Sequence, residues 1–237
     1  MLTVGSLFSG IGGFDLGLER AGLKIKFQVE NNEYCRHVLK KHWPTVPCHF
    51  DITKIDWEWI PRVDLVCGGF PCQPFSVAGK RRGQADDRYL WPEVVRCLDT
   101  LRPTWFLGEN VPGLINLALD QVCADLEGLG YQVWPVCVPA CAVDAPHIRQ
   151  RIWIIGFHPN TDRSRYEGGG VPTKSTRPWK QFERLVQADL RISVPAGKSG
   201  GVHDGVQNRA HRLRALGNAV VSAIVEAFGR MILEVTP

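Results

Sequence analysis

The 237-residue chain carries 28 Lys+Arg against 24 Asp+Glu, is 44% hydrophobic and 22% charged, and contains 24 Gly and 16 Pro. These values exclude a disordered chain, a collagen-like repeat and a coiled coil, and they predict one sizeable core with room for a small appendage. No apolar run approaches the roughly 18 residues that span a bilayer, and the N-terminus lacks the positive segment and cleavage site of a signal peptide, so the expectation is a soluble cytoplasmic protein.

Apolar spacing predicts strands at 4–9, 26–30, 63–67, 104–108, 132–138 and 151–158, and helices at 13–21, 33–42, 90–101 and 117–128. This alternation implies an α/β domain with a doubly wound, parallel-type sheet, in which functional loops gather at the carboxyl ends of the strands. The first strand runs into Phe8-Ser-Gly-Ile-Gly-Gly-Phe14, which opens a helix. Glycines there let the backbone turn tightly and approach a ligand, and the helix N-terminus favours a negative group. The spacing is not that of a dinucleotide fingerprint. Glu30 ends the second strand, placed to accept hydrogen bonds from a ribose hydroxyl.

The third strand ends in Gly68-Gly-Phe-Pro-Cys-Gln-Pro74. Prolines on both sides of Cys72 stiffen that loop, and a thiol at a strand-to-loop boundary is well placed for a nucleophile, although an inert buried thiol fits the same residues. The other cysteines are scattered through apolar surroundings without any C-x-x-C pair, so they read as reduced core fillers and no metal site is expected.

After His158 the pattern breaks. Residues 159–205 hold Gly168-Gly-Gly170, four prolines and only one weakly helical stretch, at 181–189. Trp179, Phe182, Leu185 and Ile192 give this segment something to pack, so it reads as a small, loop-rich second domain. The stretch from Ala145 to Arg214 carries 13 Lys+Arg and 5 Asp+Glu, whereas the remainder is mildly acidic. Such asymmetry suggests a polyanionic partner met by one part of the chain, or a solvated basic surface. The final stretch, 219–233, is apolar at helical spacing and returns to the main core.

Taken in order, Phe8–Phe14, Glu30, Asp51-Ile52, Phe70-Pro-Cys-Gln73, Leu90-Trp-Pro-Glu93, Glu109-Asn-Val111, Arg149-x-Arg151 and Gly217-Asn-Ala-Val220 resemble the motifs of the DNA (cytosine-5)-methyltransferases, a minimal prokaryotic or phage-like member. The resemblance covers nearly the whole chain outside 159–205. It implies a Rossmann-like S-adenosylmethionine-dependent methyltransferase sheet, with a catalytic domain of 1–158 plus 206–237 and a target-recognition domain inserted at 159–205. It implies S-adenosylmethionine as cofactor, bound by Phe8, Ser9, Gly10, Ile11, Gly12, Glu30, Asp51, Ile52, Pro71, Leu90, Asn218 and Ala219. Cys72 is the implied nucleophile, and Glu109 the acid at the cytosine N3, its pKa raised by burial. Arg149 and Arg151, two apart at a strand start and so on one face, complete the implied catalytic set, and His147 stands where the family usually has Gln.

Duplex DNA is the implied partner, met by Ser76, by Lys80, Arg81 and Arg82 on the stretch Gly79–Arg88 that resembles the family's mobile catalytic loop, and by Lys174 and Arg177. The target base must be rotated out of the stack to be reached. A monomer acting on a short sequence of roughly two to five base pairs is the expectation. A tRNA cytosine-5 methyltransferase of the same fold, an inactive DNA-binding homologue and, more distantly, a nicotinamide oxidoreductase are the alternatives.

Overall fold

The computed structural model describes residues 1–71, 90–143, 145, 148–159 and 219–236. In chain order these form β1 (Thr3–Leu7), α1 (Gly13–Ala21), β2 (Lys24–Val29), α2 (Glu33–His42), β3 (Cys48–His49), β4 (Leu65–Gly69), α3 (Trp91–Leu101), β5 (Trp105–Asn110), α4 (Leu114–Leu117), α5 (Leu119–Gly128), β6 (Gln132–Pro139), β7 (Gln150–Phe157) and α6 (Ser222–Val235). Short 3-10 turns at Ile52–Lys54, Trp57–Trp59 and Ala140–Val143 fill the connections. Among the described residues no helix is long and apolar enough to cross a membrane.

The strands form one seven-stranded sheet in the order β3-β2-β1-β4-β5-β7-β6. Pairings from β3 to β5 are parallel, as the alternation of strands and helices requires. The expectation of a parallel sheet fails at one strand: β7 is antiparallel to both β5 and β6. Only residues 140–149 separate β6 from β7, too few for a crossover helix, whereas an antiparallel return needs no more than a turn. The strand at 48–49 is short enough to leave no periodic signal, and the helix expected at 117–128 breaks at Ala118, whose ψ of 3° interrupts α4 and α5.

Successive residues of each strand face opposite sides, and the two cores separate accordingly. Leu65, Cys67, Trp105, Leu107, Trp153 and Ile155 pack with α1 and α6, while Val66, Phe106, Ile152 and Ile154 pack with α3 and α5. Of the seven described cysteines, Cys35, Cys67, Cys97 and Cys141 are buried fillers, whereas Cys137 is exposed.

Helix α6 lies tight against α1. A Cβ on Gly17 would sit 2.5 Å from the Ser222 carbonyl oxygen and 2.6 Å from the Val225 Cβ, so this face tolerates only hydrogen. On a free helix surface, Gly→Ala would stabilise by about 1 kcal/mol. At Gly17 the overpacking, typically about 1–3 kcal/mol, opposes that gain and wins. Gly17→Ala is expected to lower Tm by up to about 8 °C, from a net loss of up to about 2 kcal/mol in a chain of this size; a raised Tm in a thermal melt would refute the close approach.

Candidate functional site

The carboxyl edge of the sheet carries the site. Beyond β1, the loop Phe8–Gly12 turns back into α1. Phe8 adopts φ 50°, a left-handed conformation for a bulky side chain that costs about 1–3 kcal/mol and persists only when its surroundings enforce it. Gly12, at φ 86°, is the N-cap of α1 and supplies no side-chain hydrogen bond. The helix therefore presents its N-terminus to the loop without a side-chain cap, the local requirement for receiving an anionic group.

Glu30, 8% exposed, follows β2 and binds across that loop. Its Oε2 accepts from the Gly10 amide at 2.7 Å and its Oε1 from the Asn32 amide at 2.7 Å. Asn32 in turn caps α2, accepting from the Cys35 amide at 3.1 Å. Phe8, Ser9, Gly10, Gly13, Glu30, Asn31, Asn32, Tyr34, Gly69, Glu109, Ala219 and Val220 enclose, with Phe14 and Cys35, a cavity of about 290 Å³.

At the far side of this cavity lies the one feature that required β7 to run backwards. Glu109 continues the face of β5 that carries Trp105 and Leu107, and Arg151 continues the face of β7 that carries Trp153 and Ile155. Glu109 is registered opposite Trp153, so Arg151 is its diagonal neighbour. The Arg151 Nε lies 2.9 Å from Glu109 Oε1, with 20% and 12% of the two side chains exposed. Burial pushes the Glu109 carboxyl above its ordinary value, against the opposing pull of Arg151 and then Arg149. Arg149 is itself drawn below the ordinary guanidinium value by burial and by its neighbour Arg151. A Cβ on Gly69 would stand 3.1 Å from Glu109 Oε2, so the bare backbone of β4 leaves space beside the carboxylate.

Asn110, next along β5 and 4% exposed, ties two strand ends together. Its Nδ2 donates to the Phe70 carbonyl at 2.9 Å, and its Oδ1 accepts from the Val111 amide at 2.9 Å. Phe70, packed on Trp91 with ring centroids 4.7 Å apart and the planes tilted by 46°, is two residues before Cys72 in the chain.

Of the residues singled out in the sequence, Phe8, Ser9, Gly10, Glu30, Glu109 and Ala219 meet in the cavity lining, whereas Ile11, Gly12, Asp51, Ile52, Pro71 and Leu90 are not part of it. The Asp51 carboxylate caps a 3-10 turn through the amide and hydroxyl of Thr53, and Ile52 is buried in the core on the α3 side. Leu90 immediately precedes α3. Cys72, Ser76, Lys80, Arg81, Arg82, His147, Lys174, Arg177 and Asn218, together with the segment 160–218 that holds the expected second domain, lie outside the described residues. Sequence reasoning missed Asn31, Asn32 and Tyr34. The run Glu30-Asn-Asn-Glu33 before an amphipathic helix is an N-cap signature, and it was the available signal. Among the described residues, no group of three or more His, Cys, Asp or Glu could hold a metal ion.

The strand order with its single reversed strand, the uncapped helix behind a glycine loop and the acidic residue ending β2 define a Rossmann-like domain of the methyltransferase type. The chain belongs to the C-5 cytosine-specific DNA methylase family, whose profile matches residues 2–192. It is similar to the type II methyltransferase M.BsuFI of Bacillus subtilis, with 42% identity over 67% of this chain and 40% of that one. It is also similar to the type II methyltransferase M.DsaV of Dactylococcopsis salina, at 35% over 89% of this chain and 60% of that one. The fold is shared with the solved methyltransferase EhMeth of Entamoeba histolytica, at a TM-score of 0.68 and 14% identity, covering 99% of this chain and 98% of that one. The chain thus spans between two fifths and three fifths of the length of these two curated relatives.

The upward shift of Glu109 has a consequence for stability. An acid whose folded pKa is raised lends stability that is present below its unfolded value and lost as pH rises through the folded one. Glu109→Gln, which fixes the neutral form, is therefore expected to raise Tm at pH 8, with the gain shrinking toward pH 4.5. A variant less stable than the wild type at pH 8 would show that the arginine pairing outweighs burial.

Proposed function

We propose that this protein transfers a methyl group from S-adenosylmethionine to carbon 5 of a cytosine rotated out of duplex DNA, through a transient covalent bond to Cys72. The observation that supports this most strongly is the shared cavity. The glycine loop and Glu30, suited to a nucleoside-bearing cofactor, open into the same space as a buried carboxyl that is held against Arg151 and raised toward its protonated form.

The residues fit S-adenosylmethionine. Glu30 retains acceptor capacity for ribose hydroxyls beyond its two backbone bonds, the α1 N-terminus suits a carboxylate, and Phe8 and Tyr34 offer apolar walls. When bound, the cofactor supplies a methyl group activated on a sulfonium sulfur.

Carbon 5 of cytosine is too weak a nucleophile to take that methyl unaided. The Cys72 thiolate forms a bond to carbon 6, and the displaced ring electrons are received at N3, where Glu109 donates its proton. Carbon 5, now part of an enamine, would take the methyl group as the carbon–sulfonium bond breaks, its electron pair staying on sulfur to leave a neutral thioether. A base then removes the carbon-5 proton, the sulfur–carbon 6 bond breaks and Cys72 leaves as thiolate, while the N3 proton returns to the Glu109 carboxylate and the ring regains its double bond. Arg151 keeps the Glu109 carboxyl oriented toward the base, and Arg149 adds positive charge beside it. Asn110 steadies the backbone leading to Cys72 through the Phe70 carbonyl. Ser76, Lys80, Arg81, Arg82, Lys174 and Arg177 are the proposed contacts to DNA, neutralising phosphates or reading bases around the extruded nucleotide.

Two measurements test this reading. Bisulfite sequencing of DNA from a methylation-free bacterial host expressing the chain is expected to show protected cytosines within one short motif, and Cys72→Ala to abolish the protection. Transfer to tRNA in place of DNA, or protection that survives in Cys72→Ala, would overturn the assignment. Glu109→Gln is expected to lower the methyl-transfer rate by about 10²–10⁴-fold, the usual contribution of a general acid, with DNA affinity changed by no more than a few-fold; equal losses in both would remove the acid role.

A further inference from the structure

The chemistry above leaves one buried acid unused. Asp15, in the first turn of α1, is fully enclosed, as are Ser6 on β1 and Gln28 on β2. The Ser6 hydroxyl donates to Asp15 Oδ2 at 3.0 Å, and the Gln28 Nε2 donates to Asp15 Oδ1 at 2.7 Å. β1 enters the glycine loop, α1 leaves it, and β2 ends in the glutamate that clamps it. A single carboxylate thus joins the three elements on which the loop hangs. The connection reaches the cavity within one further bond, because the Ser6 carbonyl accepts from the Ser9 hydroxyl at 3.0 Å, and Ser9 lines the cavity.

Stability alone does not account for this arrangement. An apolar side chain of similar size would seat α1 on the sheet without burying a charge, and Gln28 Oε1 is buried without a hydrogen-bond partner, a further unfavourable feature of the same cluster. We propose that Asp15 is a positioning residue for the cofactor site, its ionised carboxylate fixing the loop Phe8–Gly12 relative to Glu30. Only the ionised form accepts from both donors as they stand: once protonated, Asp15 keeps the Gln28 bond at Oδ1, but the Ser6 hydroxyl must turn from donating to receiving the Oδ2 proton, which alters the link to β1.

The groups acting on Asp15 are Gln28 from β2, Ser6 from β1, and its own backbone amide and Glu19 from its own helix, while Cys67 on β4 and Cys48 on β3 feel its charge. Burial pushes Asp15 up to about 6, opposed by the bonds from Gln28 and Ser6 and assisted by Glu19. Burial, assisted by Asp15, pushes the Cys67 thiol far up, so it stays neutral. Asp15 therefore changes form just below neutral pH. The sign separates positioning from mere stability: protonation of a raised acid favours the folded state, so Asp15's own titration strengthens the fold on acidification while it loosens the loop.

This inference rests on the cavity holding S-adenosylmethionine, and the test keeps the two apart. Calorimetric titration with S-adenosylmethionine between pH 5 and 8 is applied to the wild type, Asp15→Asn and Asp15→Ala, beside thermal melts. Asp15→Ala is expected to bind about tenfold more weakly at pH 7.5, the scale of one charge-assisted hydrogen bond. Wild-type affinity is expected to fall as pH drops through about 6. Asp15→Asn should bind at pH 7.5 as the wild type does at pH 5, without that step, while melting no lower than the wild type. Glu109 lines the same cavity and titrates above its ordinary value, so the Asp15 contribution is read as the difference between wild type and Asp15→Asn. If Asp15→Ala does not fold, Gln28→Leu removes one of the two side-chain donors to the carboxylate and is expected to weaken binding likewise. Equal affinities and the same pH profile in all variants would overturn the positioning role while leaving the cofactor reading intact. No binding to the wild type at any pH would overturn both.

Discussion

The short connection between β6 and β7 governs the rest of the site. A link confined to residues 140–149 cannot carry the chain across the sheet, so β7 must run against its neighbours. Reversal places the start of β7, not its end, at the edge where β1, β2, β4 and β5 terminate. Arg149 and Arg151 then stand beside the carboxylate that closes β5, and that carboxylate, Glu109, lines the cavity with the glycine loop and Glu30. Had β7 run parallel, those arginines would lie at the opposite edge, a strand length away from Glu109.

Much of this was legible in the sequence. Helices α1 and α2 occupy the residues that their apolar spacing marked, and each has a visible boundary: Gly22, at φ 102°, ends α1, and Asn32 starts α2. Glu30 and the glycine loop were readable for the same reason, since turn glycines and a charged residue closing a β-run are local features. The direction of β7 was not readable from its own residues, because a period of two is the same in both directions; only the length of the preceding link carried the signal. The lining residues Asn31 and Tyr34 converge with Glu109 through the sheet order, which no window of sequence contains. Asp15 is the sharpest case. A polar residue in the first turn of an amphipathic helix reads as a solvated, dipole-matching charge, and only the packing of β1, β2 and α1 around it reveals that it is enclosed.

Three acids near one sheet edge show how burial and partners divide chemical roles. Glu30 meets two backbone amides, fixed donors that cannot exchange roles, which suits an acceptor for a neutral sugar. Glu109 faces arginines, yet its burial still prevails and leaves it raised. That balance suits the acid role proposed for it, since burial raises the carboxyl while Arg151 limits the rise. Asp15 meets neutral donors, the Gln28 amide, the Ser6 hydroxyl and its own backbone amide, and burial raises it to about 6, so it sits near the boundary between its two forms. The difference among the three follows from the donor each is given: peptide amides, guanidinium, or side-chain hydroxyl and amide. Burial is the largest influence on both Asp15 and Glu109, and against that common upward push the partners set how far each carboxylate is drawn back: guanidinium beside Glu109, neutral donors around Asp15.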